Sequence, residues 1–281
     1  VQSSSSSAQQ ARQLLADRLR DLRRDAGLTA VALAGRAGWE RTKVSKIEHA
    51  TRPPSAADIR LWCQICGVEN ETADLIASLH SAAGMWVGWR RMERSGLRRA
   101  QEARLPLYER TRQFRAYSCW IVPGLIQTED YTRAVLRAYQ QRRGLLDDVE
   151  AAVAARMNRQ RVLGRHRRTA AFLVEESVLR NGFGGSAVMT GQLARLAEVT
   201  TWPAVSLGVV PASADRGPAG PAEDFWIFDG EQVNVELVSG YLTVTQPSEI
   251  ALYAQMFARF SEIAVYGSRA RDLIVAAGPP S

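Results

Sequence analysis

Between Arg12 and Ala82 the chain is cut into short helical stretches by residues that cannot continue a helix, and this punctuation constrains the fold most. Leu15, Leu19, Leu22 and Ala26 recur at intervals of four, three and four, which puts them on one helical face. Gly27 ends that helix as a left-handed cap. Thr29 offers a hydroxyl N-cap to a second helix carrying Leu33, Ala34 and Ala37, and Gly38 permits a tight turn. A third helix follows over Glu40–His49, with Val44 and Ile47 pointing inward. Thr51-Arg52-Pro53-Pro54 breaks it, and Ser55 caps a fourth helix whose inner face is Ile59, Trp62, Cys63 and Cys66. A fifth helix runs from about Glu71 to Ala82. Five short helices joined by tight turns make a module of their own over 12–84.

At 281 residues the chain has room for about two domains. Hydrophobic residues at 46% and charged residues at 23% exclude a disordered chain and a collagen-like repeat. No apolar run reaches the roughly 18 residues needed to span a bilayer. Ser3 to Ser7 is low in complexity, so residues 1–11 are expected to form a disordered tail, without the charged-then-apolar pattern of a secretory signal. Cys63, Cys66 and Cys119 cannot all pair within one chain, which favours a reduced, cytoplasmic protein.

The net charge of +7 is unevenly placed. Residues 85–170 hold 19 basic and 8 acidic side chains, whereas 171–281 hold 6 and 12. A basic middle and an acidic last third point to a polyanion or an acidic partner. Lys43 and Lys46 are the only lysines, and both fall in the third helix. Val44 and Ile47 face the core three residues apart, which turns Arg41, Thr42, Lys43 and Lys46 outward; a solvated helix face is the plainer reading of the same pattern.

The helices Thr29–Ala37 and Glu40–His49 with their Gly-containing turn fit a helix-turn-helix. Gly27-Leu28-Thr29, Leu33-Ala34, Gly38, Val44-Ser45-Lys46-Ile47-Glu48, Arg52-Pro53-Pro54-Ser55 and Gly67-Val68 follow the order and spacing of the Cro/repressor-like (XRE-type) helix-turn-helix family, which residues 12–82 resemble. The resemblance implies a lambda-repressor-like fold and contact with double-stranded DNA through Arg41, Thr42, Lys43, Ser45, Lys46 and Arg52. It also implies an ion pair between Arg23 and Glu48 that locks the reading helix. Ala30 stands where the family usually has Gln, and Glu40 where it usually has a Ser or Thr cap.

Residues 85–145 read as a helical connecting region with one loop. Arg90, Arg94 and Arg98 lie four apart and would share one helix face, a stripe for phosphates or an acidic partner. Residues 121–128 read as a loop, with a helix starting at Thr128 and another over Asp147–Gly164. From there the pattern changes. Thr169–Val174, Val205–Val210, Phe225–Phe228, Gln232–Leu237 and Tyr241–Thr245 are strand candidates, with Asp229-Gly230 as a hairpin turn. Helices fill Val188–Val199, Ser248–Val265 and Ser268–Ala276. The expected fold is mostly α, with a C-terminal α+β domain at 146–281 built on a small antiparallel sheet. Val122-Pro123-Gly124-Leu125-Ile126-Gln127-Thr128 with Tyr131, Arg159-Gln160, Glu176 with Leu179, and Gln192-Leu193 resemble the C-terminal domain of WhiJ-like actinobacterial regulators. That resemblance implies a transcriptional regulator, often paired with a small acidic protein and sometimes grouped with antitoxin-like proteins.

Catalytic and metal signatures are weak. Trp62-Cys63-Gln64-Ile65-Cys66 has redox-motif spacing but lies late in a helix, where cysteine behaves as a small buried hydrophobe. His49, His80 and His166 have no ligand spacing, so no metal or cofactor is expected. Glu175 and Glu176 are neighbours on a strand and point to opposite faces. The sequence therefore reads as a non-enzymatic, nucleoid-associated transcriptional regulator, a repressor by family type. It is expected to be a homodimer on a palindromic site, with no membrane partner and a C-terminal half that binds a small acidic protein or a small-molecule effector. Phe225, Trp226, Phe228 and Tyr241 are candidates for its apolar pocket. The alternative is an antitoxin-like interaction module that acts mainly by binding a small acidic protein.

Overall fold

A computed structural model describes residues 3–81, 86–88, 93, 95–220, 222–238 and 240–278. The chain divides into two compact units, residues 1–86 with 243–251, and residues 87–242 with 252–281.

In the first unit, α1 (Ser3–Asp25), α2 (Ala30–Ala37), α3 (Arg41–Glu48), α4 (Ala56–Cys66) and α5 (Thr72–Ser81) follow the sequence punctuation closely. Helix α1 reaches back to Ser3, through most of the stretch expected to be a tail. The Thr29 hydroxyl accepts from the Ala32 N–H, and Ser55 and Asp58 form a reciprocal capping box on α4. Leu19, Leu33, Val44, Ile47, Ile59, Trp62 and Cys63 are buried together, each large side chain contributing about 1.5–3 kcal/mol. The Trp62 indole donates to the Leu19 carbonyl at 3.0 Å, so its one polar atom is satisfied in the core. Burial pushes the Cys66 thiol up to about 11 and raises Cys63 as well. Neither is a ready thiolate, and both cysteines are packing residues.

The second unit is α+β. Its strands are β2 (Gln113–Ser118), β3 (Thr169–Glu175), β4 (Val205–Val210), β5 (Phe225–Phe228), β6 (Gln232–Glu236) and the first three residues of β7 (Gly240–Val244). They run in the order β7-β6-β5-β2-β3-β4, and the short β1 (Trp86–Gly88) lies beyond β7 in the same sheet. The expected small antiparallel sheet is instead mixed: β2, β3 and β4 are parallel, and β5 and β6 continue antiparallel from β2. The hairpin turn is where expected, with Asp229 and Gly230 both at positive φ, 54° and 75°, as a type I′ turn requires.

The expected helical region 85–145 contains β2, an interior strand between β5 and β3. Helix α6 (Leu97–Glu102) starts only after Gly96, whose φ of 93° breaks any helix running through it. Asp148 caps α6, accepting from the Leu97 and Arg98 N–H groups at 3.0 and 2.9 Å. Arg90 and Arg94 lie outside the described residues, and exposed Arg98 donates to Glu102 at 2.7 Å.

Helices α7 (Leu105–Arg110), α8 (Glu129–Arg143), α9 (Val149–Gln160) and α10 (Ser186–Val199) are followed by α11 (Pro247–Ile263) and α12 (Gly267–Ala276). On one sheet face Phe114, Phe172, Trp226 and Phe228 pack with Tyr108, and on the other Tyr117 stacks on Phe260 with ring centroids 4.1 Å apart. Phe225 and Phe228 are core residues rather than pocket walls, because alternate positions of a covered sheet fill both layers.

Candidate functional site

The exposed face of α3 is the first candidate. Thr29 fixes the start of α2, and Gly38, at φ 65°, caps its end and turns the chain into α3. Val44, Ile47 and Glu48 face inward, leaving Arg41, Thr42, Ser45 and Lys46 exposed, with Arg52 exposed just beyond. Arg23 donates to Glu48 through Nε–Oε1 at 2.6 Å and Nη2–Oε2 at 3.0 Å, and Nη1 donates to the Leu28 carbonyl at 2.6 Å. Hydrogen bonding to Glu48 raises the Arg23 guanidinium above its usual range. The end of α3 is thereby tied to α1 and to the start of the turn before α2.

Lys43 is placed differently from its neighbours. Its ammonium contacts Asp58 at 2.6 Å and lies 4.0 Å from the centre of the Trp39 ring. Asp58 stays below the usual carboxylate range: burial works against its charge, but the Lys43 hydrogen bond and charge and the Ser55 hydrogen bonds together outweigh it. Lys43 thus braces α3 against α4. Glu40 sits at the N-cap of α3 with no side-chain cap bond, as its length predicts. His49 Nδ1 lies 2.8 Å from the Ser45 carbonyl.

The second candidate is built from residues 121–128, Tyr131, Arg159-Gln160 and Gln192, which the sequence picks out without showing that they meet. The loop 121–128 is held by amide side chains from the helices around it. Gln160 donates to the Gly124 and Gln127 carbonyls at 2.9 and 2.8 Å, and Gln192 donates to the Ile126 carbonyl at 3.0 Å. Gln192 also accepts from the Thr128 N–H at 2.7 Å, while Gln127 donates to the Val122 carbonyl at 2.7 Å. Gln127, Thr128, Tyr131, Gln160 and Gln192, scattered in sequence, converge on this loop.

Behind the loop is a recess of about 50 Å³ at the carboxyl end of β2, lined by Arg104, Arg156, Arg159, Asp224, Trp226 and Glu236 among others. It shares Ile121, Tyr139, Asp224 and Glu236 with an outer cleft of about 600 Å³. The cleft is also lined by Trp120, Phe183, Leu237 and Val238. Arg104 pairs with Glu236 at 2.9 Å. Arg156 Nε reaches Gln101 Oε1 at 3.2 Å, and its Nη1 reaches Gln127 Oε1 at 3.0 Å. Arg159 is 3% exposed, its guanidinium sits 4.6 Å from the Tyr108 ring centre, and its Nε has no acceptor among the described residues.

Neither Arg156 nor Arg159 has a carboxylate within ion-pair distance among the described residues. Burial, and then Arg159, pulls Arg156 down to about 10, and burial lowers Arg159. Asp224 accepts from the Cys119 N–H at 2.6 Å and from its thiol at 2.9 Å, yet burial pushes its carboxyl up to about 6. Elsewhere Glu175 takes the Tyr117 hydroxyl at 2.6 Å and pairs with Arg216, while Glu176 accepts from the Ala212 N–H. The two glutamates do not form a pair. No group of three or more His, Cys, Asp or Glu side chains able to hold a metal occurs among the described residues.

These features define a helix-turn-helix module, a DNA-binding type of domain, joined to an α+β unit with a charged recess. A helix-turn-helix domain model matches residues 14–76. The chain belongs to the family described as a domain of unknown function (DUF5753), whose model matches residues 104–276. No curated protein matches. Among solved structures, the archaeal chromatin protein TrmBL2, described as showing a novel mode of DNA binding, aligns at 10% identity and a TM-score of 0.33, over 85% of this chain and 88% of that one. No helix among the described residues is long and apolar enough to cross a membrane.

Proposed function

We propose that this protein is a sequence-specific DNA-binding transcriptional regulator of the XRE type, with a WhiJ-like C-terminal half that is regulatory and not catalytic. The observation that carries this reading is the outward face of α3, where Arg41, Thr42, Ser45 and Lys46 project from a helix locked from behind by Arg23 and Glu48. Arginine can donate two hydrogen bonds to guanine O6 and N7, and a short helix of this kind fits the major groove. Arg41, Thr42 and Lys46 are assigned to base edges, and Arg52 to a phosphate. Ser45, exposed on the same face, is assigned to either.

One such helix reads too few base pairs for genomic specificity, so the protein acts as a homodimer on a palindromic site in the cytoplasm, at the nucleoid. The experiment is a selection of binding sites from a genomic library, repeated at rising salt. A regulator retains preferred sites while its log affinity falls linearly with log salt, with a slope of about −0.9 per phosphate contacted. Weak binding with no preferred site would shift the reading to an antitoxin-like interaction module. The engagement of Lys43 by Asp58 favours that second reading, because it removes one cation from the α3 face.

A further inference from the structure

We propose that the recess behind loop 121–128 is a binding site for a small organic anion, whose oxyanion head meets Arg156 and Arg159 while its apolar body lies in the outer cleft. The assignment names a ligand for the regulatory half and rests on the preceding reading only for its consequence on DNA; binding itself is independent of it.

Three observations carry it. First, the recess buries two cations that have no carboxylate at ion-pair distance among the described residues; Glu236, which pairs with Arg104 at 2.9 Å, acts on both only through space. Arg156 and Arg159 are both more than nine-tenths buried, neither has a carboxylate partner among the described residues, and Arg159 Nε has no acceptor there. A buried unpaired charge is costly, and such sites persist where something else supplies the partner. Guanidinium forks suit carboxylate and phosphate oxygens, which accept paired hydrogen bonds.

Second, the cleft outside is open and largely apolar. Trp120 is 69% exposed and Val238 91% exposed, and both line its wall with Ile121 and Phe183. Its volume of about 600 Å³ is in the range of sites for small organic ligands. Third, the site lies at the carboxyl end of β2, where the sheet changes from parallel pairing with β3 to antiparallel pairing with β5, beside a fixed loop. The recess is too small and too deep for a folded protein surface to reach Arg159, which favours a small molecule over an acidic protein.

The test uses the full chain without DNA, with 1-naphthoate, its uncharged analogue 1-naphthamide, inorganic phosphate and a short Glu-rich peptide as probes. Calorimetry should show naphthoate binding at least about tenfold more tightly than the amide, since only the acid makes charge-assisted bonds. Competition by phosphate indicates a phosphate-bearing ligand, and naphthoate binding without such competition indicates a carboxylate; both outcomes support the anion. Arg159→Met should weaken naphthoate about tenfold or more while holding or raising the melting midpoint, because a purely structural arginine would lower it. Should that variant unfold, Trp120→Ala at the exposed wall should weaken naphthoate several-fold with its melting midpoint unchanged. Equal affinity for acid and amide, no binding of either anion at millimolar concentration, or wild-type affinity in these variants overturns the site. Binding of the peptide but not of naphthoate also overturns it and gives the recess to a protein partner. A failure here leaves the α3 reading untouched, because no DNA enters the measurement.

Discussion

The Arg23 guanidinium grips the Glu48 carboxylate with two nitrogens, at 2.6 and 3.0 Å, so the last residue of α3 is fixed to α1 by a buried, bidentate pair. Both side chains are nearly sealed from water. Glu48→Ala would strand the guanidinium, and removing one partner of a buried pair costs about 3–5 kcal/mol. Urea unfolding should report a loss of that order, and DNA affinity should fall with it, although Glu48 faces away from the exposed side of α3. An unchanged unfolding midpoint would mean that the pair does not hold the helix.

Lys43 and Lys46 should separate cleanly. Lys43 spends its charge on Asp58 and Trp39, so Lys43→Met should lower stability by about 1 kcal/mol and leave the salt slope of DNA binding nearly unchanged. Lys46 is exposed, and Lys46→Ala should weaken DNA binding with little change in melting. A fluorescence anisotropy titration at several salt concentrations compares the two, and equal losses of DNA affinity would contradict this division.

Asp224 predicts a pH dependence of definite sign. Its folded pKa, about 6, lies above the roughly 3.9 of an exposed aspartate, so its ionisation costs stability at neutral pH. Stability should therefore rise as pH falls from about 7 to 4, by up to roughly 2 kcal/mol from this group. Cys119 hydrogen bonds and Glu236 share its surroundings, the first lowering its pKa and the second raising it. Asp224→Asn should flatten the gain, as read from unfolding midpoints at pH 7.5 and 5.

Gly96 tests the α6 cap. A side chain there would collide with the Asp148 carboxylate, and the φ of 93° is one that L-residues rarely adopt. Gly96→Ala should cost about 1–3 kcal/mol. Pairing it with Asp148→Ala should give less than additive losses, because both changes remove the same cap. Additive losses in thermal melts would separate the two residues.

The sequence carried the first unit almost whole, because its helices are closed by local signals: Thr29, Ser55, Gly38 and Gly67 act within a few residues of themselves. The β5–β6 hairpin was legible for the same reason, through Asp229-Gly230. Strand β2 was hidden. Only its first four residues alternate, they sit in an arginine-rich stretch next to α7, and its partner β3 begins 56 residues further on. No local pattern announces a parallel pairing over that distance. The sequence names Arg159 beside Gln160, but not its burial or that of Arg156. A signal did exist: Val149, Ala152, Val153, Arg156 and Arg159 form a single stripe at helical spacing, so two cations occupy the inner face of α9. A charged residue in line with an apolar stripe is the pattern that would have found them.

The loop at the recess is tied by Gln127, Gln160 and Gln192, whose amides carry no proton that comes and goes near neutrality. Its scaffold is therefore indifferent to acidity, while Asp224 inside the recess is not. Mild acidification would make the chamber more attractive to an anion without altering its outline. Selectivity by shape and strength of attraction are thus assigned to different atoms, and a change in one need not disturb the other.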